Sequence, residues 1–183
     1  MGNRAVIVWT DRDGNFSFNE NVGVYLHWNG GIDSVEAFLT YADIMGFRSP
    51  TQDPEYGIAR FIQIVANFFG DDGLNVGVGI LKFMDYCNGD NYQWICTDWE
   101  IKRQLFLKWD KYDYLLNYKD YDEYESKCID GWMYNPEKIW EMIQVIHSCQ
   151  PWKDRDLKEM VQKYCERNGL SEFFVPCELK EID

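Results

Sequence analysis

The chain of 183 residues is long enough for one domain, and its 46% hydrophobic and 17% aromatic content can fill a core. Acidic residues outnumber basic residues by 31 to 18, which gives a formal net charge of −13. This charge repels DNA, RNA and anionic membranes, so we expect neutral or basic partners and no direct binding of nucleic acid or membrane. Residues 1–100 carry 14 acids against five bases, so their negative charge is less compensated by basic residues than that of residues 101–183.

The six cysteines occur singly, without a Cys-x-x-Cys pair, and the first residues lack the basic and apolar regions of a secretory signal. No apolar run approaches the length that spans a membrane. We therefore expect a reduced protein in the cytoplasm.

The first part of the chain predicts two strands followed by a helix. Apolar runs at 5–10 and 22–28 are typical of strands, and the polar loop between them predicts a hairpin. Residues 32–42 then carry apolar side chains at helical spacing, and Gly46 is placed to end that helix.

A second helix is predicted from Asp53, a suitable N-cap, and Pro54, which fits the first turn. Its broad apolar face predicts that it is the central core helix. Alternation over 74–83 then predicts a strand whose glycines allow close backbone approach on one face. Asn88-Gly89 predicts a hairpin turn into a strand over 92–99, which could continue through 101–107.

The remainder predicts helices, one starting at Asn135-Pro136-Glu137 and another ending at Asn168-Gly169. The predicted fold class is α+β, with an antiparallel sheet packed by two helices and followed by a helical C-terminal lobe. We expect residues 1–108 to form the sheet-and-helix core. Residues 109–183 would then form the helical lobe, packed on the core as one compact unit.

The segment GVYLHWNGGIDSVE, residues 23–36, joins a strand to a helix through two glycines, as phosphate-binding turns do. Asp33 and Glu36 in the first turn argue against an anion site, because a carboxylate already occupies the positive end of the helix dipole. We expect a capping-box variant in which Asp33 accepts a first-turn N–H and Glu36 reaches back. A nucleophile elbow is disfavoured since neither Ser nor Cys stands between the glycines.

The histidines give weak cases for catalysis. His27 ends a predicted strand without an evident nucleophile beside it, which favours a structural role. His147 precedes Ser148 and Cys149, but helical spacing predicts that Cys149 is buried among apolar neighbours. We expect no catalytic residue and no enzymatic activity.

No metal site or cofactor is predicted. Asp11 to Asn15 resembles the start of a calcium loop, but its glycine is at the fourth position instead of the sixth, and the closing Glu is missing. A polar hairpin tip explains it better. Acids at 71–72 and 85–90 could surround a cation if their loops met, although solvated turns are the commoner arrangement.

Residues 109–125, WDKYDYLLNYKDYDEYE, combine five tyrosines, six acids and two lysines. They suit either an amphipathic helical connector or a surface that offers carboxylates and phenol rings to Arg and Lys. If helical, 110–125 would span about 24 Å, along which DNA presents about 14 phosphates. Its net charge of −4 is a poor imitation of DNA by itself, so only the summed acidic surface could compete with nucleic acid. The candidate partner-binding residues are Asp71, Asp72, Asp110, Tyr112, Asp113, Tyr118, Asp120, Tyr121, Asp122, Glu123 and Glu125.

Four blocks carry a resemblance: NRAVI at 3–7, VYLHWNGG at 24–31, RFIQIVANFF at 60–69 and CNGDNY at 87–92. Together they resemble a family of small proteins from phages and mobile elements of gut Firmicutes, in which an acidic member of similar length is an anti-CRISPR protein. The resemblance implies a non-enzymatic inhibitor that binds a type II RNA-guided nuclease and interferes with target DNA recognition. It covers about the first hundred residues and supplies no contact residues, which leaves the later helices without an implied role.

Two alternative functions stay open. One is a small hydrolase that uses His27 with an acidic loop residue. The other is a module that binds a small messenger nucleotide in a basic pocket built from Arg4, Arg12, Arg48 and Arg60, which the excess of acids makes harder to form.

Overall fold

The computed structural model describes residues 3–15, 17, 20–70, 75–81, 90–91, 93–107, 124–128 and 136–170. These residues form six strands and four helices. In chain order they are β1 (Ala5–Trp9), β2 (Val22–Leu26), α1 (Ile32–Ile44), α2 (Pro54–Phe69), β3 (Val76–Ile80), β4 (Gln93–Thr97), β5 (Glu100–Leu107), β6 (Tyr124–Cys128), α3 (Pro136–Ser148) and α4 (Leu157–Asn168).

The strands form one sheet in the order β3-β2-β1-β4-β5-β6. The α+β class, the hairpin of β1 and β2, and the helical C-terminal region are confirmed. The sheet is mixed, however. The strands β1 and β4 pair in parallel, and the other four pairs of neighbouring strands in the sheet are antiparallel. The chain passes through β2, α1, α2 and β3 between β1 and β4, so β4 can return beside β1 in the same direction.

The sheet extends into the C-terminal part of the chain through β6, which pairs with β5 from Arg103 opposite Cys128 to Leu107 opposite Tyr124. Of the two interpretations of residues 109–125, the helical connector is wrong at residues 124–125, which belong to β6. Residues 108–123 connect β5 to β6 and lie outside the described residues. They contain most of the acidic, tyrosine-rich segment 109–125, which we call the acidic tract.

The central helix is α1, and the expectation that α2 fills this place is wrong. Helix α1 contacts α2, α3, α4 and β5. Its sequence is apolar around most of its circumference, as suits a helix enclosed by other elements. The buried residues of α1 are Val35, Ala37, Phe38, Leu39, Tyr41, Ala42 and Ile44.

Both faces of β1 are buried. Ala5, Ile7 and Trp9 belong to the core cluster that also contains residues of all four helices, whereas Val6 and Val8 alternate with them and are 0% exposed. A continuous apolar run is typical of a strand covered on both sides. The helices α3 and α4 contribute to the same cluster as the N-terminal sheet, through residues such as Ile143 and Val161.

The helices α4 and α2 differ in whether a side chain caps their first turn. Asp156 caps α4 by accepting the N–H groups of Lys158 and Glu159, and Gly169 ends it in the left-handed region at φ 64°, as predicted. Asp53 and Pro54 occupy their predicted positions at the start of α2. The Asp53 side chain makes no capping bond, since it pairs with Arg48 at 2.5 Å.

Two predicted features of the sheet differ in detail. Strand β3 spans Val76–Ile80 and lies at an edge of the sheet. A Cβ added to Gly77 would meet Tyr25 at 3.5 Å, an ordinary contact, so crowding does not require glycine there. The turn between β4 and β5 consists of Asp98 and Trp99, and Asp98 adopts φ 51°. The proposed turn at 88–89 lies outside the described residues.

Candidate partner-binding surfaces and an acidic cleft

Of the predicted partner-binding residues, only Glu125 lies within the described backbone, where it pairs with Phe106. The others, Asp71, Asp72, Asp110, Tyr112, Asp113, Tyr118, Asp120, Tyr121, Asp122 and Glu123, lie outside the described residues. The structure nevertheless locates the strands that carry these segments.

We name the two ends of the sheet after β1. The Ala5 end consists of Ala5, Leu26, Val76, Gln93, Leu107 and Tyr124, and the Trp9 end of Trp9, Val22, Ile80, Thr97 and Glu100. Residues 108–123 join strands at the Ala5 end. Asp71 and Asp72 precede Val76, which lies at the same end. Both predicted acidic segments are therefore attached to one end of the sheet.

A cleft of about 700 Å³ lies at the Trp9 end, and sequence reasoning did not anticipate it. It is lined by α1, the loop between α1 and α2, the β4–β5 turn with the start of β5, and α4 with the residues that follow it. Its charged lining residues are Glu36, Asp43, Arg48, Asp98, Glu100 and Arg167, and its aromatic lining residues are Phe47, Trp99 and Tyr164. The cleft gathers four carboxylates against two guanidinium groups.

Glu36 is the most perturbed acid of this cleft. Its Oε2 atom is shielded from solvent and has no hydrogen-bond partner. Burial, followed by the charge of Glu100, raises its pKa to about 7, against the opposing effects of Lys102 and the backbone N–H of Ile101. The expected capping box is wrong, because Gly31 is the N-cap of α1 and no side chain caps this end.

The other three carboxylates have partners. Asp43 accepts from Arg167 at 2.9 Å, yet burial outweighs this contact and raises the pKa of Asp43. Asp98 accepts the Ser49 hydroxyl at 2.5 Å. Glu100 forms an exposed ion pair with Lys102. Asp98 is thus satisfied by neutral donors, and Glu36 is the one whose oxygen is left unpartnered.

Cys96 and Cys149 have opposite environments. Cys96 is fully buried on β4, and burial, then Glu36 and Glu100, raise its pKa well above the ordinary value, so its thiol stays protonated. Cys149 is exposed, and the expectation that it is buried is wrong. It lies just beyond the end of α3, where the apolar face of the helix no longer covers it.

His147 is a buried structural residue. Its Nδ1 atom bonds to the Tyr41 hydroxyl at 2.9 Å, and its Nε2 atom bonds to the Arg155 carbonyl at 3.1 Å. Both ring nitrogens are engaged, so His147 is not placed to activate the neighbouring thiol.

His27 is half-buried at the end of β2, with its Nδ1 atom 3.2 Å from the Tyr25 hydroxyl and its ring edge-on to Trp28. His27 is not among the residues that line the cleft at the Trp9 end.

The glycine pair serves chain packing. A Cβ at Gly30 would lie 2.6 Å from the backbone N of Ala5, and the Gly30 carbonyl accepts the indole N–H of Trp94 at 2.7 Å. Gly30 N–H is itself directed to the Asn3 carbonyl. The close approach of the Arg4 and Ala5 backbone explains why the residue at position 30 lacks a side chain.

The Asp11 loop is a closed hairpin tip. Asp11 accepts the backbone N–H groups of Asp13 and Asn15 at 2.9 and 2.7 Å, and the hydrogen bond from Asn15 lowers its pKa. Within the described part of the chain, no group of three or more His, Cys, Asp or Glu residues could hold a metal ion.

The arginines of the nucleotide-binding alternative have different surroundings. Arg48 lines the cleft at the Trp9 end, whose lining does not include Arg4, Arg12 or Arg60. Arg12 donates to the Gln52 carbonyl at 2.7 Å and Arg60 to Gln63 at 2.8 Å.

None of the helices in the described ranges combines the length and apolar character needed to cross a bilayer. A scan against protein-family models and searches of curated proteins and of solved structures found no match.

Proposed function

We propose that this chain is a non-enzymatic, anti-CRISPR inhibitor that binds a type II RNA-guided DNA nuclease and blocks recognition of target DNA in the host cytoplasm. The observation that carries the proposal is its uncompensated acidic charge, a net of −13. Such nucleases hold the guide and target in positively charged channels. An acidic protein is attracted to those channels, and association is fast and sensitive to salt.

The attachment of both acidic segments to the Ala5 end supports a single docking surface. Asp71 and Asp72 lead into β3, and residues 108–123 leave from β5. Four strand spacings separate β3 from β5 in the sheet, which corresponds to roughly 19 Å. Carboxylates at both positions would spread charge over a length that carries about 11 phosphates in duplex DNA.

The proposal is tested by titrating the chain against guide-loaded nuclease and measuring complex formation and DNA cleavage. We expect a defined complex, loss of cleavage, and weaker binding as salt is raised. Absence of binding, or unchanged cleavage with the chain in excess, would overturn the proposal.

The order of addition tests the step that is blocked. The chain added before target DNA should abolish DNA binding, whereas the chain added after the nuclease has bound its target should have little effect on cleavage. Equal inhibition in both orders would place the block at a later step and contradict competition for the DNA-binding surface.

A further inference from the structure

We propose that two copies of this chain associate by pairing their β3 strands edge to edge, in an antiparallel register centred on Val78. The inference goes beyond the proposed function, because it concerns contact between two copies and holds whether or not the chain binds a nuclease. It starts from the edge of the sheet at β3, where Val78 is 53% and Ile80 is 43% exposed. Of the five large apolar side chains exposed among the described residues, two therefore lie on this strand.

The β3 edge lacks the features that keep the edges of sheets from pairing. Edge strands are usually protected by charged side chains, proline or a β-bulge. Residues 75–81 contain neither a charged residue nor proline, and β3 pairs with β2 without a shift in register. The other edge strand of the described sheet, β6, contains Glu125 and Lys127. Of the two edges, β3 is therefore the one suited to accept a further strand.

The backbone groups that point away from β2 determine which residues can pair. The two residues that flank β3 form hydrogen bonds of 2.9 Å with the two residues that flank β2: His27 N–H donates to the Asn75 carbonyl, and Leu81 N–H donates to the Asn21 carbonyl. Because inward and outward groups alternate along an antiparallel strand, Gly77 and Gly79 also bond to β2. The residues whose N–H and C=O groups point outward are Val76, Val78 and Ile80.

The sequence of β3, VGVGI, is complementary to itself in one antiparallel register. With Val78 opposite Val78 of the second copy, Val76 lies opposite Ile80, and every outward residue of both strands is hydrogen-bonded. Centring the pairing on Gly77 or Gly79 would instead place one outward residue of each copy opposite a position beyond β3. The two-fold arrangement around Val78 thus uses the whole strand, as an interface between identical subunits requires.

The side chains of β3 fit this arrangement because the apolar ones share one face. Val76 and Val78 lie opposite Leu26 and Val24, which belong to the core cluster, so the apolar side of β3 is the helix side of the sheet. The helices leave Val78 and Ile80 exposed. The second copy would cover them with its own β-branched side chains, and such cross-strand pairs stabilise a sheet.

The glycines of β3 favour the close approach of another backbone. Neither Gly77 nor Gly79 adopts a positive φ, and a Cβ on Gly77 would make an ordinary contact with Tyr25 at 3.5 Å. The fold of one copy therefore does not require glycine at position 77. Glycine inside a strand often marks a place where a second backbone comes near. In the paired strands, Gly77 faces Gly79 of the second copy, so no side chain separates the strands on this face.

The charge of the edge favours a second copy over a basic partner. A basic protein would be attracted by carboxylates, and residues 75–81 contain none. Two copies with a net charge of −13 repel each other, but the register limits this repulsion. Because Val76 faces Ile80, the Ala5 end of one copy lies beside the Trp9 end of the other. The acidic segments attached to the Ala5 ends therefore leave from opposite sides of the joined sheet.

The first test is sedimentation equilibrium of the full chain over concentrations from about 1 to about 500 µM. Pairing of two short strands buries less area than a standard interface, so we expect a weak dimer with a Kd on the order of 10 µM. Raising the salt concentration should strengthen it, since salt screens the repulsion between two acidic copies. A chain that stays monomeric throughout this range would overturn the inference.

Charged variants test the register. Val78→Lys and Val78→Glu each place like charges opposite one another, and each should weaken the dimer at least about tenfold. An equimolar mixture of the two should dimerise again, because a lysine then faces a glutamate. Val145→Lys, at a valine of α3 that is 45% exposed, is the matched control and should leave the dimer unchanged. A mixture that dimerises no better than either variant alone would contradict the placement of Val78 opposite itself.

Amide hydrogen exchange of the parent chain tests the same contact without a substitution. In one copy the Val78 N–H points outward, whereas the Gly79 N–H bonds to β2. Exchange at Val78 should slow at least about tenfold between dilute and concentrated protein, with Gly79 protected at both concentrations. A dimer in which Val78 exchanges as fast as in the monomer would place the contact elsewhere and overturn the inference.

Discussion

Tyr41 and His147 lie 106 positions apart in the sequence, and the hydroxyl of Tyr41 bonds to Nδ1 of His147 at 2.9 Å. Because the Arg155 carbonyl can only accept, Nε2 of His147 carries the ring proton, and Tyr41 is the donor to Nδ1. Tyr41 in turn accepts the indole N–H of Trp152 at 2.9 Å. This network joins α1 to α3 and to the segment that follows α3.

Tyr41→Phe should destabilise the protein by about 2 kcal/mol, because it leaves the Trp152 N–H and His147 Nδ1 without their partner in a buried site. The measurement is the free energy of unfolding in urea. Tyr56→Phe, at a tyrosine that is 55% exposed, is the matched control and should have little effect. Equal stabilities for the two variants would show that the network contributes nothing measurable.

Glu36 should make stability depend on pH. Its pKa is raised in the folded state, from 4.5 to about 7, so the folded protein binds the proton more tightly than the unfolded chain. Stability is therefore highest below pH 4.5, falls as pH rises towards 7 and is constant above it, with a total loss of up to about 3 kcal/mol from this group.

The corresponding variant is Glu36→Gln, measured by unfolding at pH 4 and pH 8. We expect it to be more stable than the parent at pH 8 and similar to it at pH 4, since glutamine cannot ionise. Glu55→Gln, on an exposed part of α2, should show no such difference. A Glu36→Gln variant that gains nothing at pH 8 would contradict the buried, unsatisfied state of this carboxylate.

The adjacent glycines should respond differently to alanine. A Cβ at Gly30 meets the backbone of Arg4 and Ala5 at 2.6 Å, whereas a Cβ at Gly31 meets the Asn3 side chain at 3.2 Å. Gly30→Ala should cost about 2 kcal/mol or more through backbone displacement, and Gly31→Ala less than about 1 kcal/mol because a side chain can move. Thermal unfolding checks both. Similar losses would refute the packing explanation for this turn.

Neutralising the acidic tract should slow association with the nuclease at low salt. The variant carries Asp120→Asn, Asp122→Asn, Glu123→Gln and Glu125→Gln, and we expect an association rate about tenfold lower in 50 mM salt, with the difference shrinking as salt rises. Stopped-flow mixing measures the rate. A chain with Gln at Glu20, Glu55, Glu137 and Glu141, all exposed, loses the same total charge. Identical association rates for the two variants would show that only the total charge matters, and not its location in residues 109–125.

Local sequence patterns predicted most elements of the described fold. The apolar runs at β1 and β2, the Pro54 start of α2 and the Gly169 end of α4 depend on neighbouring residues, so the sequence reveals them directly. The parallel pairing of β1 with β4 and the central place of α1 were missed. They depend on how distant elements meet, which local periodicity does not encode.

The predicted and observed acidic sites differ for a related reason. Composition drew attention to the tract at 109–125, where acids and tyrosines are contiguous in the chain. The cleft around Glu36 assembles acids from α1, the β4–β5 turn and β5, and no window of the sequence contains them together. The spacing of Asp33 and Glu36 also predicted a local capping box. This prediction gave Glu36 a role within its own helix, although its neighbours Glu100 and Ile101 come from a distant strand.

The sequence by itself determined the net charge, the periodicity of the elements and the chemistry of the α4 ends, since each is a property of residues close together in the chain. The tertiary structure alone decided that Glu36 lies beside Glu100 with its Oε2 atom out of reach of water. The physical reason is desolvation: the energy of a carboxylate depends on what replaces its water, and here Glu100, Ile101 and Lys102 come from a strand far along the chain.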